Sequence, residues 1–91
     1  KYDYDSIGYV TSSTYRQSVL EALNGQPKTP VQIAETCDYS ITHVSRSLGE
    51  LRDQGFVDLL VPEERNKGRF YGVTDRGREV LLSISELEFD Q

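Results

Sequence analysis

The sequence predicts a single α+β domain with the element order helix–helix–helix–β-hairpin–helix, and three observations carry that prediction. Side-chain caps mark helix starts at Ser12 or Ser13, at Thr29 and at Ser40. After Gly55 the apolar pattern changes from the period of a helix to that of paired strands. A capped helical pattern then returns at Thr74. The 91 residues are enough for one domain and too few for two.

In chain order, residues 1–11 mix Tyr2, Tyr4, Ile7, Tyr9 and Val10 with polar residues and Gly8, and read as a loosely ordered arm or a short strand. The domain proper is expected over 12–87, with an acidic tail at 88–91. The first helix spans 14–23, with Tyr15, Val19, Leu20 and Leu23 on one face, and Asn24-Gly25 stops it. The second starts with Thr29 as cap, Pro30 at the first helical position and Gln32 completing a capping box; Ile33, Ala34 and Cys37 face inward. Only Asp38 and Tyr39 separate it from Ser40, which caps a third helix over 40–54. Its apolar stripe is Ile41, Val44, Leu48 and Leu51, leaving Thr42, His43, Arg46, Gly49, Glu50 and Asp53 on the other face. Gly55 suits the left-handed residue that ends a helix. Strands follow at 56–61 and 69–73 around a charged turn, and a last helix over 75–87 turns Val80, Leu81, Ile84 and Leu87 inward with Leu82 to spare.

Composition removes several function classes. No apolar run approaches the roughly 20 residues of a membrane span, and no signal pattern opens the chain. The absence of Met marks Lys1 as an unnatural start, so residues upstream are expected. One cysteine, Cys37, and one histidine, His43, make neither an internal disulfide nor a four-ligand zinc site, and a reducing cytoplasm fits. Paired catalytic carboxylates, a nucleophile–histidine pair and a phosphate-cradling glycine loop are all lacking, so no enzyme and no cofactor are expected.

Two short helices joined by a tight turn, the second amphipathic, form a helix-turn-helix, and the following hairpin makes it a winged helix-turn-helix. In that arrangement the second helix enters the major groove of double-stranded DNA. Here its front half offers Ser40, Thr42, His43, Ser45 and Arg46, and also Ser47, with no acid between Asp38 and Glu50. Short hydroxyls and one arginine able to grip guanine by two bonds suit base edges. The tip at 62–69 brings Arg65, Lys67 and Arg69 to the backbone or minor groove. Thr29 and Gln32, at the dipole-positive start of the second helix, are candidates for a phosphate. If His43 binds DNA as the cation, affinity falls as pH rises through the histidine range. Arg16 reads equally as a phosphate contact or a surface ion pair.

The net charge of −5 opposes this reading, but its placement softens the objection. The first five residues and the last six carry most of it, leaving 6–85 at −1. Local field at the docking face governs affinity, whereas the total speaks to solubility and steering. Seven arginines against three lysines in an acidic chain also fit a high-salt cytoplasm.

The stretch 29–57, with its Val-Ser-Arg-Ser-Leu and Leu-Arg-Asp-Gln-Gly-Phe-Val pieces, resembles winged-helix regulators of the MarR and ArsR type, especially small archaeal members. The Val-Thr-Asp-Arg-Gly segment after the second strand and the helix near 14–23 extend the resemblance over about residues 9–85. It implies transcription regulation, a sequence-reading role for Thr42, His43, Ser45 and Arg46, and a wing role for Arg65, Lys67 and Arg69. Cys37 departs from the usual leucine and reads as a small core hydrophobe. The Cys, His and carboxylate clusters of metal-sensing members are missing. Gly49 is costly inside a helix, and a close backbone approach would explain it. A homodimer through helix 75–87 and the tyrosine-rich arm is expected, since two half-sites need two reading helices. The alternative, favoured by the acidic total, is a winged-helix module that binds a protein of the transcription machinery.

Overall fold

The residues ahead of the first predicted helix are themselves helical. The computed structural model describes residues 2–60 and 69–89, and in it α1 spans Tyr4–Thr11 where an arm is expected. Asp3 caps α1: its carboxylate accepts the Ser6 hydroxyl at 2.7 Å and the Ser6 backbone N–H at 3.3 Å. Those two bonds hold the Asp3 carboxyl below its ordinary value. Its support for α1 is therefore present above the usual carboxylate range and fades as pH falls through the folded value. Ile7 and Val10, three apart, bury one side of the helix against the core. That packing stabilises a helix too short to form alone.

Then come α2 (Thr14–Leu23), α3 (Pro30–Cys37) and α4 (Ile41–Asp53), each bounded as its caps predict. Ser13, Thr29 and Ser40 are the N-caps, and Thr29 and Gln32 complete the reciprocal capping box. The turn between α3 and α4 closes at Asp38, whose φ of 60° is left-handed. Asp is among the few non-glycine residues that tolerate that region.

The strands are shorter than predicted: β1 is Val57–Leu59 and β2 is Tyr71–Val73. They pair antiparallel with Val57 opposite Val73 and Leu59 opposite Tyr71. On its other edge Tyr71 exchanges both backbone bonds with Lys28, at 2.9 and 3.0 Å. The connector into α3 thus makes a single antiparallel bridge to the edge of the hairpin and ties it to the helix-turn-helix. The predicted tip at 62–68, with Arg65 and Lys67, lies outside the described residues.

The last helix, α5, runs Asp75–Phe89, so two residues of the predicted acidic tail are helical. Thr74 begins it in a lock with the end of α4. Its N–H donates to the Phe56 carbonyl at 3.0 Å, its hydroxyl donates to the Gly55 carbonyl at 2.7 Å, and its Oγ1 accepts the Gly77 N–H at 3.0 Å. Gly55 takes φ 81°, the left-handed residue expected after α4.

The core lies where α2, α4 and α5 meet. Val19, Leu20, Leu23, Ile33, Val44, Leu51 and Phe56 are almost wholly buried, with Val80, Leu81 and Ile84 closing it from α5. Two expectations for α4 fail. Ile41 is 46 % exposed, because the first turn projects beyond the core, and Ser47 is buried in its place between Val44 and Leu51. Ser47 therefore faces away from any ligand of the outer face. Tyr15, expected inward, is 40 % exposed and packs on aromatic neighbours instead.

Candidate nucleic-acid interface

α4 presents Thr42, Ser45 and Arg46 to solvent while its opposite side is held by α2 and α3. Ser40 is also exposed, with its Oγ accepting the His43 backbone N–H at 3.3 Å. No carboxylate sits among these front residues, since the first acid on α4 is Glu50. Glu50 is turned to another use: its Oε1 meets Arg16 Nη1 at 3.1 Å. Of the two readings of Arg16, the ion pair is the one formed.

That arginine does more than pair with Glu50. Its Nε donates to the Tyr9 carbonyl at 2.8 Å and its Nη2 to the Ser12 hydroxyl at 2.8 Å. The guanidinium carbon also lies 4.1 Å from the centre of the Tyr9 ring. One side chain therefore fastens α1, α2 and α4 together, a role the sequence pattern did not disclose.

His43 is half-buried and stacks on Tyr15 with ring centres 4.2 Å apart and planes 7° from parallel. Tyr15 in turn meets Tyr39 edge-on at 4.8 Å, and the Tyr39 hydroxyl donates to Ser18 Oγ at 2.9 Å. This row of rings braces the turn between α3 and α4 against α2. The flat face of His43 is thus committed to Tyr15, which leaves the ring edge for outside contacts.

Thr29 and Gln32 sit at the start of α3 and bond to each other's backbone N–H at 3.2 and 3.0 Å. Arg69 is exposed at the base of the hairpin, while Arg65 and Lys67 fall in the undescribed segment. Cys37 is half-buried and its thiol donates to the Ser18 carbonyl at 3.6 Å. Burial, reinforced by the Glu21 charge, pushes that thiol up. A raised thiol holds little thiolate, which fits a packing role rather than a reactive one.

One residue escaped the sequence reading. Arg52 shares an α4 face with Ser45 and Gly49, a spacing of four and three that could have been read directly. Among the described residues nothing outside the neighbouring turns of α4 comes within 4 Å of a methyl built on Gly49, so none of them makes the close backbone approach expected there.

Charge is divided across the fold. Asp3, Asp5, Glu79, Glu86 and Glu88 belong to α1 with its cap and to α5. These five of the fifteen carboxylates lie on helices other than α4.

Residues 4–90 match the family described as the HVO_A0261 N-terminal domain. The chain belongs to that family. No curated protein sequence is similar enough to count as a match. Among solved structures, this HVO_A0261 N-terminal domain superposes on the MarR family transcription regulator SP03579 with a TM-score of 0.79 at 20 % identity. The alignment covers 94 % of this chain and 60 % of that one. The transcriptional regulator BldR from Sulfolobus solfataricus gives 0.76 at 21 % identity, over 94 % of this chain and 63 % of that one. The reduced form of YodB, a transcriptional regulator from B. subtilis, gives 0.79 at 21 % identity, over 92 % and 83 %. The chain thus spans under two thirds of the first two. At these identities the likeness establishes the winged-helix fold, and the MarR resemblance read from the sequence holds in the fold.

Proposed function

We propose that this domain binds double-stranded DNA as the reading head of a transcriptional regulator. α4 enters the major groove, with Ser40, Thr42, Ser45 and Arg46 toward base edges and the edge of His43 beside them. Thr29 and Gln32 approach a phosphate at the start of α3. The hairpin, with Arg65, Lys67 and Arg69, follows the backbone or the minor groove. The observation that carries this reading is the acid-free, solvent-facing front of α4 on a helix whose other face is locked in the core. The solved relatives in fold are named transcription regulators, which agrees with it.

A homodimer suits this function, since one reading helix covers only a few base pairs. Leu82 on α5 is 61 % exposed and Tyr4 on α1 is 66 % exposed, on two helices that pack together. They make the surface for a second copy. Leu87, by contrast, packs partly on the core.

Binding to mixed-sequence duplex DNA, followed as salt is raised, tests the proposal. Affinity is expected to fall steeply with salt and to drop by about tenfold or more in an Arg46→Ala, Arg65→Ala double variant. The melting transition at each salt concentration certifies the fold. A folded domain with no salt-sensitive DNA binding would overturn the reading and favour a protein-binding winged helix.

A further inference from the structure

One apolar side chain of α4 has no full place in the core. Val44, Leu48 and Leu51 are buried, whereas Ile41 is 46 % exposed. A single exposed isoleucine is ordinary on a protein surface. What asks for a cause is its position. Ile41 is the first residue of α4, directly after the Ser40 cap. Side chains on a helix lean toward its N-terminus, so Ile41 projects at the leading end of α4. Thr42 beside it and Ser45 one turn on are both exposed, so this apolar group stands among hydroxyls on the outer face. Isoleucine is a poorer helix former than alanine, so helix formation does not call for it there.

Resting on the reading of α4 as the groove-entering helix, we infer that Ile41 is a specificity-determining residue that selects a T·A pair by packing on the C5-methyl of thymine. In the major groove that methyl is the one apolar group set among hydrogen-bond donors and acceptors. Thr42, Ser45 and Arg46 match the polar groups of the base edges, and Ile41 matches the apolar one. Both partners are wet before they meet, so the contact gains the transfer of apolar surface out of water. Branching at Cβ already restricts χ1 of Ile41, so little rotamer freedom is lost when the contact forms. The contact carries no charge, so it adds base preference and leaves the salt dependence of binding unchanged.

The test starts from duplexes that the full chain enriches out of a random-sequence library. Each thymine of an enriched site is replaced in turn by deoxyuridine, which keeps every hydrogen-bonding group and lacks only the methyl. The parent is expected to bind about fourfold more weakly when the thymine read by Ile41 is replaced, the effect of one buried methyl. This measurement alters only the DNA, so no folding defect enters it. In Ile41→Ala the same replacement is expected to change nothing, with a cooperative melt certifying the fold of the variant. A penalty that persists in Ile41→Ala, no penalty at any thymine, or no enrichment of any sequence overturns the inference, while salt-sensitive binding through α4 stands. A folded parent chain that binds no duplex at any salt removes the reading of α4 as well.

Discussion

Replacing Gly77 with alanine is expected to destabilise the domain by about 3 kcal/mol, at the upper end of what overpacking a core costs. A Cβ on Gly77 would run into the Phe56 carbonyl oxygen and would come within 2.6 Å of Val73 Cγ2. Neither is the free end of a flexible side chain. The Phe56 carbonyl is fixed because it accepts the Thr74 N–H, and the Phe56 ring is fully buried. Val73 is fixed by its pairing with Val57. Relief therefore requires α5 to move off the hairpin, which breaks the lock made by Thr74 with Gly55 and Gly77. In a domain of this size the loss corresponds to a drop in Tm of roughly 12–24 °C. Thermal melting of Gly77→Ala beside Gly49→Ala gives a direct contrast, since among the described residues alanine meets nothing within 4 Å at the second site. A Gly77→Ala domain that melts with the parent would show that α5 is not seated as described. The same geometry explains the Val-Thr-Asp-Arg-Gly segment: threonine makes the lock, and glycine admits the chain that the lock holds down.

How far the fold could be read from the chain follows from where its signals are local. Caps at Ser13, Thr29, Ser40 and Thr74 act on backbone groups three residues away, so they fix the starts of α2 to α5 without tertiary information. The hidden parts depend on distant partners. α1 carries a valid cap in Asp3 and an apolar pair in Ile7 and Val10, but Gly8 and the tyrosines mask them. Its formation rests on burial against α2 and α5. Lys28 gives no local sign that it will pair with Tyr71, 43 positions later in the chain. The rotation of α4 was read nearly right, and the exchange of Ile41 for Ser47 in the core reflects only where the helix leaves its neighbours. Of the candidate interface, the front of α4 was legible because exposure there follows from periodicity.

The second large effect concerns Arg16, whose replacement by alanine is expected to cost about 2 kcal/mol. The side chain is only 15 % exposed, and its three donors go to Tyr9, Ser12 and Glu50, on three different segments. The bond to Glu50 contributes the smaller share, because that carboxylate is 37 % exposed and water screens the attraction. The larger share comes from the Tyr9 carbonyl, left without this donor, and from the guanidinium packed over the Tyr9 ring. Lysine keeps the charge but has neither the planar fork nor the reach to serve three acceptors, so Arg16→Lys is expected to recover less than half of the loss. Urea denaturation of the two variants measures both values, and a fully stable Arg16→Lys would reduce the role of Arg16 to charge alone. Arg16 also joins the helices of the proposed dimer surface to α4, the proposed reading helix, since α1 is fastened to α4 through it. In the proposed dimer, loosening that link would leave the front of α4 intact while blurring the separation of the two copies of α4. Affinity for a two-half-site operator is therefore expected to fall more than affinity for mixed-sequence DNA, whose phosphates accept either spacing. Equal losses on the two DNAs would mean that α1 and α4 need no rigid connection for binding.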